Sequence, residues 1–113
     1  LVDWDGDGVK DLLLSTNKHH KIPADAPDGL PWTNPKKLQG STILFMRNTG
    51  TEGAPVFDAP RQLSCKGRLI QLGHHACGAV ACFLGEIIDD KPNIFAADER
   101  GAFYLLNRAD LTW

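Results

Sequence analysis

The chain has 113 residues, 42% hydrophobic and 23% charged, an ordinary globular balance that fits one small domain. Its net charge of −2, with no long run of either sign, argues against the basic face of a nucleic-acid binder and gives no reason to expect an anionic membrane as partner. The longest apolar runs, 43–46 and 79–84, are far too short to span a bilayer. The sequence opens at Leu1, inside what reads as a strand, and the expectation is a processed or incomplete fragment whose targeting segment, if any, is hidden. Three cysteines, Cys65, Cys77 and Cys82, exclude full internal pairing; one bridge or none are both open, so they do not set the compartment.

Helix signals are poor, because no window keeps an i, i+3, i+4, i+7 pattern over three turns, and 11 Gly and 7 Pro punctuate the chain. Short apolar or β-branched runs between them predict strands at 11–15, 42–47, 56–57, 68–72, 79–83, 93–97 and 102–106. The segment 17–40 interrupts this rhythm. Its prolines, its two histidines and its lack of alternation predict an inserted surface loop, with Trp32 as a plug that pins it. A weak internal repeat aligns 11–16 with 93–98 and 42–48 with 102–108, the second unit joined by the short turn 98–101 and without a strand after Arg108. A single small sheet cannot bury both faces, so stacked sheets are expected, the logic of propellers and solenoids.

The strongest local signal is Asp3-Trp-Asp-Gly-Asp-Gly-Val-Lys-Asp11. Four carboxylates, on Asp3, Asp5, Asp7 and Asp11, fall at alternate or near-alternate positions, and without a cation they repel one another. Gly6 and Gly8 permit the positive φ angles that let such a chain curl until the carboxylates converge. Calcium takes six to eight hard oxygens, and Asp3, Asp5, Asp7, Asp11 and the Val9 carbonyl are the expected ligands, with water completing the shell. An EF-hand shares the first three acids and the following glycine. It also needs a bidentate Glu where this chain has Leu14, and flanking helices where 11–15 reads as a strand. A strand–loop–strand calcium site is therefore preferred over an EF-hand and over a solvated acidic turn.

Together with the apolar strand DLLLS and the later NTGTEGAPVFDAP, this loop resembles the FG-GAP/VCBS-repeat β-propellers, and the resemblance covers nearly all of the chain outside 17–40. The resemblance implies an all-β fold of about two propeller blades, a fragment of a larger propeller. The first blade spans 1–72, with its calcium loop and the insert at 17–40; the second, at 73–113, is degenerate and lacks its outer strand. It implies Ca2+ as the bound ion, and a fourth strand over 56–63. It also implies an extracellular or cell-surface location, partners among polysaccharides or extracellular proteins, and remaining blades or neighbouring chains to cover the sheets. The second unit departs from the pattern: Glu86, Asp89 and Asp90 do not have the alternate spacing, so calcium binding is carried to the first loop alone.

The other chemistry-bearing residues are weaker candidates. His19-His20 and His74-His75, with Cys77 near the second pair, offer zinc donors, but the spacing matches no standard finger. Neighbouring residues of a strand face opposite ways, so His74 and His75 meet one metal only if the chain bends. No nucleophile elbow, P-loop or dinucleotide fingerprint is present. Asp89-Asp90, followed by Lys91-Pro92, reads as a solvated turn, and Arg47 and Arg68 as surface or blade-edge residues. A noncatalytic recognition module leads. A propeller-fold polysaccharide lyase using His19, His20, His74, His75 or Tyr104 as base, and a structural repeat of an adhesin or filament, are the rivals.

Overall fold

A computed structural model of the chain describes residues 1–16, 41–72, 77–81 (backbone only) and 92–113. The insert at 17–40 with Trp32, His19 and His20, the pair His74-His75, and Cys82, Glu86, Asp89 and Asp90 lie outside the described residues, as does the side chain of Cys77.

Among the described residues, nine short strands and one 3-10 turn make up the regular structure: β1 Leu12–Ser15, β2 Ile43–Met46, β3 Arg61–Gln62, β4 Ser64–Cys65, β5 Arg68–Leu69, β6 Cys77–Ala81, β7 Ile94–Asp98, β8 Phe103–Leu106, the 3-10 turn Arg108–Asp110 and β9 Leu111–Thr112. They form three antiparallel sheets of three strands, β1-β2-β3, β5-β4-β9 and β6-β7-β8, with β1 lying close to β6. The all-β class expected from the sequence holds for the described residues.

The registers explain which side chains go inside. Leu13 faces Phe45 and Ser15 faces Ile43 across β1–β2, so these side chains share one face, and Phe45 and Ile43 are fully buried. Leu44 points the other way and is buried too, so β2 is covered on both faces, consistent with its unbroken run Ile-Leu-Phe-Met. In the third sheet Ile94 pairs with Leu106 and Ala96 with Tyr104, and this face meets the core. The opposite face carries Phe95, Ala97, Phe103 and Leu105, with Phe95 and Phe103 stacked at 5.5 Å. Val2 and Trp4 from the N-terminal segment join Ile43, Phe45, Leu63, Ile70, Ile94 and Leu111 in one core, so all three sheets bury apolar area against each other.

Several expected elements move. The strand expected at 56–57 is only a bridge between Asn48 and Phe57, and the strand that extends the first sheet is Arg61–Gln62. Pro55 removes a backbone donor beside Val56, and Pro60 defers regular pairing to the residues after it. The strand expected at 68–72 ends at Leu69, and Leu72 continues as a bridge to Ser41. The strand expected at 79–83 begins earlier, at Cys77. A strand does follow Arg108: β9 leaves the sheet before it and pairs with β4, Cys65 opposite Leu111. The β4–β5 hairpin turns at Lys66-Gly67, both with positive φ, as a two-residue turn matched to strand twist requires.

Candidate metal-binding loop

The acidic loop begins and ends on a pair of backbone hydrogen bonds. Val2 N–H donates to the Asp11 carbonyl at 3.1 Å and Asp11 N–H to the Val2 carbonyl at 2.8 Å, so residues 3–10 are pinched into a closed turn at the start of β1. Gly6 and Gly8 take φ of +82° and +90°, a region that side chains with a Cβ rarely adopt, which is why glycine stands at both positions.

The carboxylates organise the turn from within. Asp3 Oδ1 accepts the N–H of Gly6 at 2.9 Å and of Asp7 at 3.1 Å, and Asp3 Oδ2 accepts that of Gly8 at 2.9 Å. Asp5 Oδ1 accepts the Asp7 N–H, and Asp7 Oδ1 the Val9 N–H. Asp11 is fully buried: its Oδ2 accepts the N–H of Trp4 at 2.9 Å and of Asp5 at 3.4 Å, and its Oδ1 that of Asn48 at 2.8 Å. Asn48 is buried as well, donating from Nδ2 to the Lys10 carbonyl and accepting the Gly50 and Val56 N–H groups on Oδ1. It therefore pins the end of β2 and the 49–56 turn to the loop.

Asp3, Asp5 and Asp11 each bring a carboxylate oxygen to within 4.8 Å of the other two. Ligands on opposite sides of a calcium ion lie roughly 4.6–5.2 Å apart, so this spread fits one ion. Asp7 is directed elsewhere: its Oδ2 lies 3.0 Å from Arg47 Nη2, while Arg47 Nε lies 2.7 Å from Asp5 Oδ2. Val9 is placed in the same turn, with its N–H on Asp7.

The charges are strained in a telling way. Burial, with repulsion from Asp11 and Asp7 behind it, pushes the Asp5 carboxyl up despite Arg47. The Val9 N–H and then Arg47 hold Asp7 below the usual carboxylate range, and Asp7 and Asp5 in turn raise the Arg47 guanidinium.

A second arginine holds the loop from the inside. Arg108 is only 9% exposed; its Nη2 donates to the Trp4 carbonyl at 3.1 Å and its Nη1 to that of Leu111 at 3.4 Å. Its guanidinium sits 4.3 Å from the centre of the Trp4 ring and 4.6 Å from that of Trp113, and the two rings meet edge to face. Burial lowers its pKa, and Nε and the Trp4 Nε1 are both buried without a partner among the described residues. The last residues of the chain are thereby tied to the acidic loop at its start.

Of the residues singled out from sequence, the structure brings together Asp3, Asp5 and Asp11 and sets Asp7 and Val9 beside them. Arg47, read as a surface or blade-edge residue, is an ion-pair partner of the loop. Asn48 and Arg108 carry structural roles that no motif announced. The β1–β2 register explains the first two: continuing the pairing of Leu12 with Met46 sets Arg47 opposite Asp11 and Asn48 opposite Lys10. Among the described residues no helix is long and apolar enough to cross a membrane. Comparison of the chain with protein-family models, curated proteins and solved structures found no match.

Proposed function

We propose that this chain is a calcium-stabilised repeat module of the FG-GAP/VCBS β-propeller type, extracellular and noncatalytic, with a polysaccharide or an extracellular protein as its ligand. The observation that carries the reading is the convergence of the Asp3, Asp5 and Asp11 carboxylates in a turn closed by the Val2–Asp11 pairing and leading straight into β1. The donor set consists of hard oxygens, with no nitrogen or sulfur among the three, which suits calcium rather than zinc. Gathering these acids around a dication answers the burial, and behind it the repulsion from Asp11 and Asp7, that raise Asp5.

The ion's role is structural. Asp11 reaches Trp4, Asp5 and Asn48 at once, so an ion held there ties the N-terminal segment, β1 and the end of β2 together, and ion binding adds to folding stability by mass action. The exposed apolar face with Phe103 and Leu105, 68% and 57% exposed, supports the view that further blades or neighbouring chains complete the fold. An open groove lined by Lys10, Leu12, Asn48, Glu52, Pro55 and Phe57 beside the loop is a place where a ligand has access to both charged and apolar groups.

Isothermal titration with calcium on folded protein, checked by circular dichroism, tests the reading. One ion per chain is the expected result, lost in Asp5→Asn. Absence of uptake by a correctly folded sample sinks the calcium assignment. A stable, well-behaved monomer in analytical ultracentrifugation counts against the partial propeller.

A further inference from the structure

We propose that Arg47 is an internal competitor for the cation site, a guanidinium that holds the oxygens of Asp5 and Asp7 and thereby sets the calcium concentration at which the loop fills. The inference rests on the calcium reading above and goes beyond it by assigning the residue that tunes affinity. Arg47 Nε lies 2.7 Å from Asp5 Oδ2 and its Nη2 lies 3.0 Å from Asp7 Oδ2, so one guanidinium engages two of the five expected ligand groups. Among the described residues Arg47 alone forms salt bridges with the loop carboxylates, while the nearby Lys10 pairs with Glu52 at 3.6 Å. Asp3 and Asp11, in contrast, spend their oxygens on backbone N–H groups.

The competition is unequal in a way that suits reversible exchange. A guanidinium is a planar fork that matches two oxygens on one side, whereas calcium draws six to eight oxygens from all sides. The fork covers Asp5 and Asp7 and leaves the converging oxygens of Asp3 and Asp11 for the ion. The Arg47 side chain is 49% exposed, so it returns to water at small cost when an ion takes Asp5. That departure also frees Asp7, whose Oδ2 is held by Arg47, to turn toward the ion. In the absence of calcium the same arginine relieves repulsion among the acids. A single residue therefore stabilises the ion-free loop and weakens the ion-bound one.

The two effects have opposite signs, which separates competition from a merely structural role. Arg47→Gln leaves the pairing of β2 intact, because β2 ends at Met46 and the Asp58 N–H bonds the backbone carbonyl of residue 47. The full chain, wild type, Arg47→Gln and Arg47→Lys, is titrated with calcium by calorimetry at fixed ionic strength and melted in chelator. Arg47→Gln is expected to bind calcium about tenfold more tightly, the scale of one to two surface ion pairs, while melting at a lower temperature in chelator. Arg47→Lys, with the charge but without the fork, falls between the two. Equal or weaker calcium binding by Arg47→Gln overturns the competitor role while leaving the calcium site standing. Absence of uptake by both wild type and Arg47→Gln removes the calcium reading and this inference together.

Discussion

The turn at 98–101 and the loop at 3–11 are both organised by aspartate, yet they meet its charge in different ways. In the turn, Asp98 Oδ1 accepts the N–H groups of Arg100 and Ala102, and Oδ2 accepts the Tyr104 hydroxyl at 2.9 Å. Burial alone would raise this carboxyl, but the Ala102, Tyr104 and Arg100 donors together hold it below its usual value. In the loop, by comparison, burial and then repulsion from Asp11 and Asp7 leave Asp5 raised even with an arginine beside it. One carboxylate with three donors reinforces a hairpin that two backbone bonds, Asp98 N–H to the Ala102 carbonyl and Gly101 N–H to the Asp98 carbonyl, also close. Four carboxylates in nine residues form a turn in which backbone N–H groups and Arg47 meet the charge together.

The largest expected effect falls on the residue that joins the loop to the sheets. Asp11→Ala strands the N–H groups of Trp4 and Asn48 in the interior and is expected to cost about 3–5 kcal/mol in urea denaturation in chelator. A loss under about 1 kcal/mol would mean that Asp11 serves an ion alone and not the fold. Calcium comes next. At a hundredfold excess over its Kd the ion is expected to add about 2.7 kcal/mol to the wild type, read as a rise in melting temperature. Asp5→Asn abolishes that gain, and because Asp5 is raised in the folded state, the same substitution stabilises the ion-free protein at neutral pH. A variant that is less stable in chelator at neutral pH breaks the contrast drawn between loop and turn.

The arginine under the loop ranks third. Arg108→Ala removes packing between Trp4 and Trp113 and two bonds to carbonyls, with an expected loss of about 2 kcal/mol. Arg108→Met, which refills the space without burying a charge, recovers most of it, and Trp fluorescence reports whether the rings stay together.

The smallest effects are pH-dependent and sharpen the comparison by sign. Asp98 is lowered on folding, so its contribution is complete above the unfolded value of about 3.9 and is lost as pH falls through the lower folded value. Asp5 is raised, so acidification through its folded value relieves a penalty instead. Tyr104, raised by its bond to the Asp98 carboxylate, contributes fully from the range where Asp98 is ionised up to about pH 10 and loses that contribution as pH rises through its folded value. Melting Tyr104→Phe and Asp98→Asn at neutral and acid pH checks this: both lose less, relative to wild type, at acid pH than at neutral. A deficit in Asp98→Asn that is the same at both pH values discards the assigned role of the carboxylate.

Local chemistry was legible without the fold. The alternation of Asp with Gly6 and Gly8 dictated a curled acidic turn, since positive φ is cheap only for glycine, and the structure shows both glycines there. The short apolar run within 42–47 announced a strand, and the short turn at 98–101 a tight connection between β7 and β8. Two-residue strands carry too few residues to show a period, so β4 and β9 were invisible, and Pro55 and Pro60 displaced the third strand of the first sheet to Arg61–Gln62. What the sequence by itself determined is the all-β class and three of the four acids expected to converge, Asp3, Asp5 and Asp11, because both follow from residue type and short-range spacing, whereas Asp7 turns to Arg47. Only the tertiary structure decided that Arg47 answers Asp5 and Asp7, that Asn48 anchors Asp11, and that Arg108 comes back from the far end of the chain to grip Trp4. Those contacts depend on strand register across a long insertion and on a pairing between β4 and β9, and long-range register is set by how apolar faces share one core, not by any local pattern.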